Sequence, residues 1–180
     1  QNDPDFIEYQ EFRKEFGDDG NALIAGFEGD IFSLKFFQGI QKITQELQAN
    51  DAVKNVISIA NLVNIRADYD AETFALEPLS RQIVQSQAEM DSVKKILQGL
   101  EFYRGLIFNE DETSTILIIT IDSKRLDTSE KGKIVASITE TVNKHAAEMG
   151  VDPHYSGLPY IRAYITDFIP KEMALFLALA

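Results

Sequence analysis

Ser114-Thr115-Ile116-Leu117-Ile118-Ile119-Thr120-Ile121-Asp122 contains the longest apolar run that is also rich in β-branched residues. Isoleucine and threonine fit a pleated strand better than a helix. The apolar residues fall at both odd and even positions, so both faces of the strand ask for cover. The run therefore predicts a central strand buried on both sides. Upstream, residues 102–108 read as its hairpin partner across Asn109-Glu110-Asp111-Glu112. Downstream, Ile134, Val135, Ile138, Val142, Ala146 and Met149 form a stripe at helical spacing, which Gly150 ends. Asp127 with Glu130 resembles a cap for that helix, and residues 151–156 read as the last strand.

The first half repeats this plan. Residues 21–27 read as a buried strand closed by Gly29. Ser33 caps a helix with Phe36, Phe37, Ile40, Ile43 and Leu47 on one face. Residues 53–65 follow as a single strand. From 66 to 85 the pattern breaks down, and Ser86-Gln87-Ala88-Glu89 then opens a helix with Met90, Val93 and Leu97 inside, ended by Gly99. The order is strand-helix-strand, an insertion at about 66–99, then strand-strand-helix-strand. The predicted fold is α+β, a ferredoxin-like βαββαβ sandwich with a helical insertion between its halves. Residues 1–20 form a linker or short helix carrying Phe6, Ile7, Tyr9, Phe12 and Phe16. Residues 21–158 form the α/β domain, and 159–180 a helix leading onward.

Composition narrows the function. A chain of 180 residues is long enough for one domain with a sizeable core. Its net charge of −12 repels nucleic-acid phosphates and anionic headgroups, so no nucleic-acid role is expected. There is no cysteine, hence no disulfide, no thiolate metal site and no thiol nucleophile.

The chemistry-bearing residues are sparse. His145 falls beside Lys144 on the polar side of its helix and reads as solvated. Asp152, His154 and Ser156 alternate along the last strand, sharing a face but lying in a row about 7 Å apart. That row lacks the triad geometry and the G-x-S-x-G elbow. Asp68, Asp70 and Glu72 open like a calcium loop, yet Thr73 and Leu79 stand where it needs Gly and Glu. Gly17-Asp18-Asp19-Gly20 lacks the lysine of a phosphate loop. Phe36 and Phe37 read as core. No catalytic, metal or cofactor site is predicted.

The end of the chain is distinctive. Tyr155-Ser156-Gly157-Leu158-Pro159-Tyr160 turns from strand to helix, and Met173-Ala174-Leu175-Phe176-Leu177-Ala178-Leu179-Ala180 is wholly uncharged. No stretch reaches the ~18 apolar residues of a membrane span. The expectation is that the tail begins a membrane helix cut short, and that the polar start, without Met, is cut as well.

Three stretches resemble the periplasmic domain of RND-superfamily exporters, in particular the MMPL-type exporters of lipids and hydrophobic molecules. Phe16-Gly17-Asp18-Asp19-Gly20-Asn21 is similar to the approach to the first extracytoplasmic strand. Val53-Lys54-Asn55-Val56-Ile57-Ser58-Ile59-Ala60-Asn61-Leu62 resembles the family's second strand. Tyr155 to Tyr160 resembles the Gly-x-Pro turn before the second transmembrane helix, with Asp167 and Glu172 on the approach. The resemblance implies a porter domain between two membrane helices of a bacterial inner-membrane exporter, facing the periplasm. It implies no enzyme activity and no cofactor, because proton coupling lies in membrane helices outside this chain. Its partners would be the other transmembrane and periplasmic parts of the same transporter, a hydrophobic small molecule or lipid, and in some assemblies a second copy. Gly157 and Pro159 would be the hinge to the membrane helix. The alternatives are a free-standing ferredoxin-like binding or regulatory domain, and the periplasmic domain of a protein-translocation accessory protein or sterol-sensing relative. An enzyme built on Asp152, His154 and Ser156 is the third class.

Overall fold

The computed structural model describes residues 19–68, 73–78, 83–126, 128 and 130–166. They form an α+β fold around a four-stranded antiparallel sheet. After a 3-10 turn at Asp19–Asn21 come β1 (Ala22–Glu28), α1 (Leu34–Gln48) and β2 (Val53–Ile57). A two-stranded sheet of β3 (Val63–Asp68) and β4 (Thr73–Pro78) follows, then α2 (Gln87–Gln98). The second half holds β5 (Ser114–Ile121), the short α3 (Ser123–Leu126), α4 (Lys131–Met149) and β6 (His154–Ser156). A final helix, α5, is described over residues 158–166.

The strand order is β2-β5-β1-β6, and every pairing is antiparallel. Along β5 the side chains alternate strictly. Thr115, Leu117, Ile119 and Ile121 are buried, with Leu23, Ala25 and Phe27 of β1 beside them. The helices α1 and α4 bring Phe37, Ile40, Ile43, Ile138, Val142 and Ala146 into the same core. Ser33 caps α1 by accepting the Phe36 amide at 3.4 Å.

The two long helices approach closely. A Cβ built on Gly39 would lie 2.2 Å from Met149 Sδ, so only glycine fits there without moving the methionine. Farther along the seam, His145 is buried and its Nε2 lies 2.7 Å from Glu46 Oε2, with Glu148 at 3.4 Å from Nδ1. The helical spacing of His145 placed it on the solvated side, which is incorrect. It sits at the edge of the stripe, where α1 covers it and supplies a carboxylate.

Several other expectations need correction. The central strand is not covered twice: Ile116 and Ile118 on the second face are only half-buried. Residues 53–65 are not one strand. The chain leaves the sheet at Ser58, where Asn61 Oδ1 accepts the Ser58 amide and Asn61 Nδ2 donates to the Val56 carbonyl. Buried Ser58 also bonds Thr44 of α1 at 2.8 Å, fixing that exit. These side-chain bonds to the backbone compete with ladder pairing, and composition alone did not reveal them.

Residues 102–108 do not pair as a full strand with β5. They form a 3-10 turn at Glu101–Tyr103 and only an isolated bridge from Phe108 to Thr115. The insertion is not wholly helical, since it contains the β3-β4 hairpin, and its second half belongs to the core. Gln41 Oε1 accepts the Val84 amide and Gln38 Nε2 donates to the Val84 carbonyl, so α1 satisfies both backbone groups of that linker. Val84, Met90, Val93 and Leu97 are buried with the rest. Ser86 caps α2 as read, although Glu89 returns to the amide of Gln85 and not to that of Ser86. The cap of α4 is Glu130, whose side chain makes no capping bond; Asp127 lies outside the described residues. The last strand is shorter than expected, at three residues.

Candidate functional site

The junction between β6 and α5 is closely packed. Gly157 has φ +100°, and a Cβ there would meet the carbonyl oxygen of Ala22 at 2.2 Å. The end of β6 is thus pressed onto the backbone of central strand β1, where only glycine fits. Pro159 is buried in the first turn of α5, a position that needs no amide donor. The Ile161 amide donates to the Gly157 carbonyl at 3.0 Å and closes that turn.

Tyr155, the middle residue of β6, points to the helical side because its partner Ala25 is a core residue. Its hydroxyl donates to Asn143 Oδ1 of α4 at 2.8 Å, with the Thr139 carbonyl at 3.2 Å. Burial pushes the Tyr155 phenol up, with a smaller contribution from Tyr160, so it stays a donor. Its ring stacks on Tyr160 at 5.1 Å, and Tyr160 stacks on Tyr164 at 6.4 Å. On another side of α5, Leu158, Ile161 and Ile165 are each about half exposed. The sequence points to Gly157 and Pro159 as the junction but not to the tyrosine row. A signal was present, since Tyr160 and Tyr164 are four apart in a helix.

The second feature is a cleft of about 690 Å³ beside the 109–113 turn, lined by Glu28, Asp30, Phe32, Lys94, Asp111 and Glu112 among others. Asn109 Oδ1 accepts the amides of Thr113 and Ser114 and shapes the turn. Glu112 is in the left-handed region at φ +59°. A hydrogen bond from Gln98 at 2.7 Å holds its carboxyl below the ordinary glutamate range, aided by Lys94 at 3.0 Å and Arg104 at 4.0 Å. Lys94 also lies 4.7 Å over the Phe32 ring. The lysine is thereby held by both an anion and a π-face.

The histidine row does not assemble. His154 and Ser156 are exposed on the outer face of β6, and no hydrogen bond joins them to each other or to Asp152. Of the acidic loop, Asp70 and Glu72 lie outside the described residues, as do Gly17 and Asp18. Phe36 and Phe37 are core, as read. Among the described residues no group of three or more His, Asp or Glu side chains is placed to hold a metal ion, and no helix is long and apolar enough to cross a membrane. The tail 173–180 lies outside the described residues. No protein-family model and no curated protein matches the chain.

Proposed function

We propose that the chain is a porter-like extracytoplasmic domain of an RND/MMPL-type, proton-driven exporter of lipids or other hydrophobic molecules, with no catalysis of its own. The carrying observation is topological. The central strands β1 and β5 are flanked by β6 and β2, and the long helices α1 and α4 follow the two central strands in the chain, an order that supports the ferredoxin-like βαββαβ reading. The β6 end then turns at a close-packed glycine into a helix with an exposed apolar side. Such a unit is a compact body that moves as one piece against its neighbours, which is what gating a path for lipophilic cargo requires. The periplasmic setting belongs to this proposal.

The reading is tested by the sequence of the parent protein on either side of this segment, followed by an export assay. It expects an apolar helix of about 20 residues before Gln1 and another continuing the tail. It also expects loss of export when Gly157 and Pro159 are replaced together. Unchanged export in a parent that still reaches the membrane would end the role of this junction, and absence of flanking helices would end the exporter reading.

One observation favours a second reading, a free-standing binding domain that pairs through its sheet. Ile57, Ile118 and Ile24 line up across three strands of the outer face. A concentration-dependent dimer in sedimentation, abolished by Ile118→Glu, would support it over the first.

A further inference from the structure

We propose that the tyrosine row Tyr155-Tyr160-Tyr164 is a rigid coupling that fixes the direction of α5 to α4, so that the junction acts as a lever and not as a free hinge. The inference rests on the geometry of the junction and deepens the transport reading by naming the element that would carry motion.

Three contacts make the coupling. Tyr155 is anchored at its hydroxyl to Asn143 and Thr139, midway along α4. Its ring, 30° from parallel with that of Tyr160, sets the roll of the first turn of α5. Tyr164, one turn later, stacks at 26° on Tyr160 and extends the contact along the helix. Both ring pairs lie within the centroid distances at which aromatic side chains attract one another.

The backbone at the junction removes the alternative. A hinge needs freedom in φ and ψ, but Gly157 lies against the Ala22 carbonyl and Pro159 is buried with its φ fixed by the ring. Glycine is used here for close approach, not for mobility. Leu158, Ile161 and Ile165 face away from the stacked tyrosines, since they occupy another side of the same helix. A displacement of α4 would therefore swing that apolar side as one body.

The absence of cysteine makes a direct test simple. Spin labels are placed through Glu140→Cys on α4 and Arg162→Cys on α5, both exposed positions, in the full chain. The distance between them is measured by pulsed electron paramagnetic resonance. The coupling predicts one narrow distance distribution that becomes at least twice as broad in Tyr160→Ala. Tyr155→Phe, which keeps the stack and loses the bond to α4, should broaden it less. A broad distribution in the parent chain, or an unchanged one in Tyr160→Ala, overturns the proposal. If Tyr160→Ala fails to fold, Tyr155→Phe alone decides, and an unchanged width there overturns it. None of these outcomes bears on whether the parent exports anything, so the lever can fail while the exporter reading stands.

Discussion

The two faces of strand β5 are built from nearly the same residues and have opposite fates. Leu117, Ile119 and Ile121 are fully buried under α1 and α4, whereas Ile116 and Ile118 on the other side remain half-buried. The outer face continues with Ile24 and Ile57 but also with Thr120, Asn55, Ser156 and the side-chain-free Gly26. Hydrophobicity alone thus shows that a side chain can be buried, and the supply of helices decides which ones are. Among the described residues the two long helices serve a single face of the four-stranded sheet. On the other, Ile24, Ile116 and Ile118 are only partly covered by the described residues.

The largest effect expected from this asymmetry is at Ile119. Ile119→Ala removes a fully enclosed side chain and leaves a cavity, at a cost of about 3 kcal/mol in denaturant unfolding. A cost below about 1 kcal/mol would mean that the helical layer packs loosely. Next comes Gly157→Ala, which must push the Ala22 carbonyl aside and adopt a positive φ. It is expected to cost about 2 kcal/mol and to expose the β6 amides to hydrogen exchange before the rest of the sheet. Uniform protection in that variant would show that the junction relaxes cheaply.

Glu112→Gln sharpens the contrast through pH. The Glu112 carboxyl is held below its ordinary value, near 4.5, first by Gln98 and then by Lys94 and Arg104. A depressed acid stabilises the fold while ionised. Its contribution is present above about pH 5 and is lost as the pH falls through the lowered value. The stability gap between parent and variant should therefore shrink between pH 5 and pH 3, and a gap independent of pH would contradict the assignment. The smallest effect is expected at Ile118, where Ile118→Thr keeps the β-branch on a half-open face. It should cost no more than about 1 kcal/mol, well under half the Ile119 loss.

Much of the fold was legible because period and capping agree. The stripe of α1, its Ser33 cap, the Ser86 cap of α2 and the glycines after α2 and α4 all stand where the sequence put them. What was not legible depends on partners distant in sequence. The break at Ser58 needs Asn61 and Thr44. The burial of His145 needs Glu46, 99 residues away, and the order in 83–85 needs two glutamines of α1. Residues 102–108 carry enough apolar side chains for a strand, but Gly105 with φ +77° turns the chain away. Of the candidate site, Gly157 and Pro159 were read from their residue types. The spacing of Tyr160 and Tyr164 stands in the sequence, but their stack on Tyr155 and its bond to α4 arise only where β6, α4 and α5 meet.

Thiol labelling tests the one-sided cover of the sheet directly. With no native cysteine, Ile118→Cys and Ile119→Cys each report one face of the same strand. Under native conditions, Cys at 118 should react with a small maleimide within about tenfold of an unfolded control. Cys at 119 should react only as fast as the domain unfolds. Equal protection of both would mean that β5 is covered on two sides after all, and the asymmetry on which the fold, the junction and the proposed role rest would be gone.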